Sequence, residues 1–250
     1  MAADGLFETM RVYNGCVFAL DAHLQRMISA CPVVGIRPPE EGLLRLAVRS
    51  IITEKNLKDA RLRLRLLNTG RCAQIVITAQ KLAGLKKASK GLAVLFVGTK
   101  RMQAGILTGV KTLNRRFYEG IFKKAKGLGY DEGIFLNTHG EVVEGTRTNI
   151  FMIKDKEVST PRLSSGCLPG VTRRIVMALL AGMKIPCREK RILPGELFGA
   201  DGMFLTNSII GAAPVVRLNK NTIGDGYSQY LIKRIISAYK KEVEKKCGLG

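Results

Sequence analysis

Apolar and polar positions alternate with period two in ARLRLRLL (60–67), where Leu62, Leu64 and Leu66 are set against Arg61, Arg63 and Arg65. That period puts the leucines on one face of an extended chain and the arginines on the other, so a half-buried strand is predicted. Asn68, Thr69 and Gly70 supply turn chemistry before a second β-rich run, QIVITA (74–79), and the pair reads as a hairpin. LAVLFV (92–97) reads as a third strand. Between Glu40 and Glu54, Leu44, Ala47, Val48 and Ile51 recur at helical spacing behind Pro38 and Pro39, which suit a helix start.

In GTKRMQAGILTG (98–109) the periodicity stops and glycine and polar residues accumulate, as in an interdomain connection. The expected division is a small N-terminal α/β domain over 1–100, a linker over 101–109 and a larger C-terminal domain over 110–250. Beyond the linker the pattern predicts a helix (115–127), a strand (133–137), a turn at Thr138, His139 and Gly140, a strand (149–153), and a helix after Pro169 and Gly170. The chain closes on an amphipathic helix, YLIKRIISAYKKEV (230–243), with Leu231, Ile232, Ile235 and Ala238 facing inward and lysines at the negative end of its dipole. The class is α/β in the mixed α+β sense. No repeat, phosphate loop or dinucleotide fingerprint is present, so kinase and dehydrogenase readings lose their support.

With 250 residues, 46% of them hydrophobic and 24% charged, the chain is expected to fold throughout. MAADGLFETMRV has acidic residues where a signal peptide needs a basic start, and no apolar run nears a membrane span, so a cytoplasmic protein is expected. Cys16, Cys31, Cys72, Cys167, Cys187 and Cys247 form no CxxC pair, and His23 and His139 are the only imidazoles. Neither a metal site nor a disulfide framework is expected from that spacing. The net charge of +21 is spread along the chain without interleaved aromatic residues. It reads as a solvated basic exterior that favours anionic ligands, in preference to a nucleic-acid surface.

Five segments give the chain a more specific character: GLFETMRVYNG (5–15), HLQRM (23–27), GVKTLNR (109–115), VEGTRTNIF (143–151), and the pair LPGVTRRIV (168–176) with FLTNSIIGAAPV (204–215). In this order they resemble the class IV aminotransferase family, the two-domain fold-type IV enzymes of the D-amino-acid and branched-chain aminotransferase kind. The resemblance implies pyridoxal 5'-phosphate as cofactor, a small amino substrate and a homodimer. Lys111 corresponds to the lysine that bonds the cofactor aldehyde and then moves protons, a task suited to an amine whose pKa falls on desolvation. Glu144 corresponds to the carboxylate that pairs with the pyridine nitrogen. Arg26 corresponds to the phosphate arginine, and its planar fork suits a bidentate grip. Val171 and Thr172 open a helix whose first amides form an anion site, with Asn207 and Ser208 supplying further donors. His23 is read as a packing residue, not as a general base.

Within the family, KTLNR and TNSIIGAAPV look most like the 4-amino-4-deoxychorismate lyases, and Arg115 stands where branched-chain enzymes carry a tyrosine. The loop Asn68 to Ala73 lacks the Arg-x-His carboxylate trap of the D-amino-acid enzymes. The chain opens at MAADGLFET, without the strand and much of the loop that precede FET in the family. The expected activity is therefore pyridoxal-phosphate-dependent release of 4-aminobenzoate and pyruvate, with branched-chain or D-amino-acid transamination as the alternative and nucleic-acid binding as a third reading. Arg115, Arg116 and Arg147 are the candidates for the substrate carboxylates.

Overall fold

The computed structural model describes residues 4–70, 73–82, 88, 90–101 and 107–249. The chain divides into two compact units: Met1–Ala83 with Val110–Asn114 and Glu242–Gly250, and Gly84–Gly109 with Arg115–Lys241.

The first unit contains β1 (Gly5–Tyr13), β2 (Cys16–Val17), α1 (Leu20–Ala30), α2 (Glu41–Glu54), β3 (Asp59–Asn68) and β4 (Ala73–Lys81). The strands form an antiparallel sheet in the order β2-β1-β3-β4. The alternation in 60–67 takes its expected form: Leu62, Leu64 and Leu66 are fully buried. They lie opposite Met10, Glu8 and Leu6 of β1. Each such leucine contributes about 1.5–3 kcal/mol by leaving water. His23, Leu24 and Met27 of α1 and Leu44 and Val48 of α2 bury one stripe per helix. The segment carrying Lys111 runs along the start of β1, with Leu6 bridged to Thr112. Phe7 N–H donates to the Lys111 carbonyl (3.0 Å) and Leu113 N–H to the Gly5 carbonyl (3.0 Å). Gly5 is required there, because at φ +146° an added Cβ would sit 2.1 Å from the Leu66 carbonyl oxygen and 2.8 Å from Leu113.

The second unit contains β5 (Leu92–Arg101), α3 (Arg116–Gly127), β6 (Glu132–Asn137), β7 (Val142–Gly145), β8 (Asn149–Lys154), β9 (Glu157–Pro161), α4 (Val171–Gly182), β10 (Cys187–Lys190), β11 (Gly202–Asn207), β12 (Gly211–Leu218), β13 (Asn221–Thr222) and most of α5 (Gly226–Cys247). Among the described residues its sheet runs β10-β9-β8-β11-β12-β5-β6-β7, with β13 on β12. One face of this sheet packs Val94, Ile134, Ile150, Met152, Met203, Leu205 and Val215 into a common core. Along α5 the buried hydrophobic positions are Leu231, Ile232, Ile235, Tyr239 and Val243, while Ala238 is half-buried. No helix among the described residues is long and apolar enough to cross a membrane.

Two expectations are corrected. The boundary near residue 100 assigned 92–97 to the first domain, but β5 pairs in parallel with β6 and β12 of the second sheet. Residues 110–114 and 242–250 group with the first unit instead. Parallel pairing joins strands distant in sequence, so local composition does not register it. Residues 102–106 of the expected linker and 71–72 of the loop Asn68 to Ala73 lie outside the described residues.

The second correction concerns the cysteines. Cys16 and Cys247 are disulfide-bonded, with Cα atoms 5.5 Å apart. The topology of the first unit brings together two cysteines 231 residues apart, a pairing that spacing could not reveal. Cys72 lies outside the described residues, while burial pushes the Cys31 thiol up to about 11 and the Cys167 thiol to about 12. Cys16→Ser is expected to lower the unfolding free energy in non-reducing buffer by about 2–5 kcal/mol, because the cross-link restricts the unfolded chain. Urea unfolding with and without dithiothreitol checks this; equal stability of variant and oxidised wild type would contradict the pairing.

Candidate active site

In the first unit the chemistry is arranged around two consecutive residues of β1. Their side chains point to opposite faces of the strand. Glu8 is 1% exposed and opposes the buried Leu64. Arg26 of α1 donates to it twice, from Nε to Oε1 (2.8 Å) and from Nη2 to Oε2 (2.6 Å). The His23 imidazole meets Oε2 through Nδ1 at 2.7 Å, and an ionised carboxylate, which can only accept, makes Nδ1 the donor. Burial alone raises the Glu8 carboxyl, but Arg26 and His23 outweigh it and hold the group at about 2. Arg26 thus reaches its position as half of a buried ion pair. His23 holds the same carboxylate, in keeping with a packing role.

Phe7, on the other face, carries Lys111. The Lys111 ammonium lies over the Phe7 ring, 4.5 Å from its centroid. Its backbone is fixed to β1 by the Phe7 hydrogen bond, so the side chain starts from a rigid strand and the amine rests against an apolar surface.

In the second unit Glu144 is buried on β7. Its Oε2 accepts from Asn149 Nδ2 (3.2 Å) and from the Leu168 N–H (2.9 Å). Asn149 Nδ2 also donates to the Leu168 carbonyl (2.9 Å). An added Cβ on Gly170 would fall 2.0 Å from Asn149 Oδ1, so only glycine fits there. Asn149 therefore ties the Glu144 carboxylate to the start of α4. Gly170 is the N-cap of that helix and provides no side-chain cap. The amides of Val171 and Thr172, in its first turn, have no acceptor among the described residues.

The turn between β7 and β8 is built by a second buried carboxylate. Glu132 accepts from the N–H groups of Gly133 (2.9 Å), Thr146 (3.0 Å) and Arg147 (3.1 Å) and from the hydroxyls of Thr146 and Thr148. The Asn207 side chain, on a residue expected among the phosphate donors, is engaged within the turn that follows β11. Its Oδ1 accepts from Ile209 and Ile210 N–H (2.9 Å each), and its Nδ2 donates to the Arg147 carbonyl (3.1 Å). It shapes the turn that presents Ser208.

Two of the three substrate candidates have local roles. Arg115 donates to the Thr146 carbonyl and lies over Tyr118 (4.1 Å to the ring centroid). Burial lowers its pKa against the opposing pull of Tyr118 and Glu144. Arg147 lies over Phe122 (3.6 Å). Arg116 is exposed at the start of α3.

Taken unit by unit, the second offers a carboxylate suited to a protonated ring nitrogen and open helix amides with a hydroxyl suited to a phosphate, and the first offers an arginine suited to a phosphate and an amine suited to an aldehyde. Sequence reasoning missed Glu8 and Asn149, which lie inside the quoted segments, and Glu132, which lies outside them.

The fold is that of the fold-type IV pyridoxal-phosphate enzymes. A solved structure from Legionella pneumophila, described as "Putative 4-amino-4-deoxychorismate lyase", matches with a TM-score of 0.88 at 23% identity over 96% of this chain and 91% of that one. The family model for "Amino-transferase class IV" matches residues 5–218, and the chain belongs to that family, whose members use pyridoxal 5'-phosphate. Curated relatives include the Arabidopsis thaliana "Branched-chain-amino-acid aminotransferase-like protein 2", 29% identical over 255 residues. The alignment covers 95% of this chain and 45% of that protein, so the chain spans about half of that relative's length. The Methanocaldococcus jannaschii "Putative branched-chain-amino-acid aminotransferase" is 28% identical over 264 residues, with 98% of this chain and 89% of the relative covered.

Proposed function

We propose that the chain is a pyridoxal-phosphate enzyme that converts 4-amino-4-deoxychorismate to 4-aminobenzoate and pyruvate. The observation that carries the lyase reading is Arg115, half-buried beside Glu144 where branched-chain enzymes place a tyrosine. When bound, the cofactor supplies an aldehyde for the substrate amine and a ring that accepts electrons.

The chain's own residues divide the remaining work. Lys111 would hold the cofactor, and its amine would take the proton from the amine-bearing ring carbon of the substrate. Glu144, oriented by Asn149 and Leu168, would pair with the ring nitrogen and favour its protonated form. The Val171 and Thr172 amides, the Thr172 hydroxyl, Ser208 and Arg26 would hold the phosphate. Loss of the ring proton and cleavage of the C–O bond to the enolpyruvyl group leave an aromatic ring, which makes the elimination favourable. Action as a soluble homodimer is part of the same proposal.

A second reading, transamination, is favoured by the names of the curated relatives. One assay separates the two. Holoenzyme is incubated with 4-amino-4-deoxychorismate, and in parallel with leucine, D-alanine or glutamate plus an acceptor keto acid. Pyruvate and 4-aminobenzoate from the first, with no new keto acid from the second, is the expected result; the reverse pattern would overturn the lyase assignment.

A further inference from the structure

The net charge of +21 exceeds anything the cofactor chemistry asks for, and part of it is gathered on one face of helix α5 in the second unit. Lys233, Arg234, Lys240 and Lys241 are exposed there, and no acidic residue lies between Asp225 and Glu242. Tyr230 is 59% exposed among them, and Tyr227 is exposed about one turn earlier. Tyr230, Lys233, Arg234, Ser237 and Lys241 follow helical spacing, which makes them one continuous stripe. Leu231, Ile232, Ile235 and Tyr239, which separate these positions in sequence, are turned inward. The linear sequence therefore shows basic residues without interleaved aromatics, while the helix brings the two together. The Arg234 guanidinium carbon lies 5.8 Å from the Tyr230 ring centroid, and the Lys156 amine lies 5.8 Å from that of Tyr227.

Fold stability does not account for the stripe. Like charges close together on a helix repel. Attraction to the helix dipole is confined to the last turn, which suits Lys245 and Lys246 and does not reach Lys233 or Arg234. Elsewhere on its surface the chain pairs such cations: Arg45 of α2 meets Glu41 and Asp21, and Lys154 meets Asp201. The acidic groups near the start of α5 are engaged locally, Asp225 with the Ser228 N–H (2.7 Å) and Asp201 with Lys154 (2.8 Å), while exposed Asp155 adjoins Lys156 off the helix. Glu242 and Glu244, toward its other end, are half-buried.

The chemistry of the face narrows its partner. A row of cations suits a polyanion, and exposed rings among them suit unpaired bases, which stack whatever their sequence. A membrane surface needs an apolar face turned outward. Here the apolar face of the helix is buried, and the stripe contains no leucine, phenylalanine or tryptophan. From Tyr230 to Lys241 the stripe runs about 17 Å, enough for about three to five nucleotides at 3.4 Å or more each.

We propose that the exposed face of α5 binds single-stranded nucleic acid, with Lys233, Arg234, Lys240 and Lys241 on its phosphates and Tyr230 stacked on a base. The site is separate from the residues assigned to the cofactor, and its test is separate from theirs.

A labelled oligothymidine about 12 nucleotides long is titrated with the cofactor-loaded full chain at several salt concentrations, and binding is read by fluorescence anisotropy. Changing Lys233, Arg234, Lys240 and Lys241 together to Gln should weaken binding at least about tenfold and reduce the slope of log affinity against log salt by about 2.8, at about 0.7 for each of the four cations. A control that changes Lys123, Lys124, Arg174 and Lys220 to Gln has the same net charge and removes exposed cations that are not on α5. It should lose less than about threefold near physiological salt, where distant exposed charges are screened. Tyr230→Ala should weaken binding about fivefold or more and leave the salt slope unchanged, since it removes stacking and no charge. Equal losses in the two quadruple variants, wild-type affinity in Tyr230→Ala, tighter binding of the matching duplex, or preference for phosphatidylserine vesicles over the oligonucleotide would overturn the assignment.

Discussion

Replacing Lys111 with Ala is expected to reduce turnover by roughly a thousandfold or more, the scale seen when a residue that forms the covalent intermediate is removed. The fold should persist. Lys111 is half-buried, and its segment is held to β1 through the backbone, which alanine retains. The unfolding free energy should therefore stay within about 1 kcal/mol of wild type. Steady-state kinetics of holoenzyme beside urea unfolding distinguishes the outcomes; a variant that unfolds normally and keeps wild-type turnover would sink the assignment.

The second large effect belongs to Glu8. Glu8→Ala leaves Arg26 and His23 facing an uncompensated buried site, and breaking such a pair costs about 3–5 kcal/mol. Urea unfolding at neutral pH measures it, and an unchanged midpoint would refute the role given to the pair. The pH dependence is also specified. Because the folded group titrates at about 2 against an ordinary 4.5, Glu8 adds stability that is fully present above 4.5 and is lost as pH falls toward 2. The difference corresponds to about 3 kcal/mol. Glu141, Glu196, Asp201 and Asp225 are also held low, so acid destabilises the wild type through several groups. The part due to Glu8 is the amount by which Glu8→Gln flattens that profile.

Much of this architecture is legible in the chain because single elements obey local rules. The Leu and Arg alternation of β3 and the helical spacing of α2 and α3 set those elements within a residue or two. Helix α1 is harder to read, since its buried stripe contains His23 and its other functional residue is a charged Arg26. The site is legible only in part. Nothing intrinsic marks Lys111 among 41 basic residues; the surrounding motifs do. Glu8 reads as a solvated carboxylate until α1 brings Arg26, 18 residues later, against it. In each case the missing information is a partner supplied by tertiary structure.

The proposed chemistry turns on where the cofactor is attached. The protein is loaded with pyridoxal phosphate, reduced with borohydride, digested and mapped by mass spectrometry. A phosphopyridoxyl label confined to Lys111, and absent from that position in Lys111→Ala, is the predicted result. Labels distributed over the exposed lysines, with Lys111 unmodified, would contradict it.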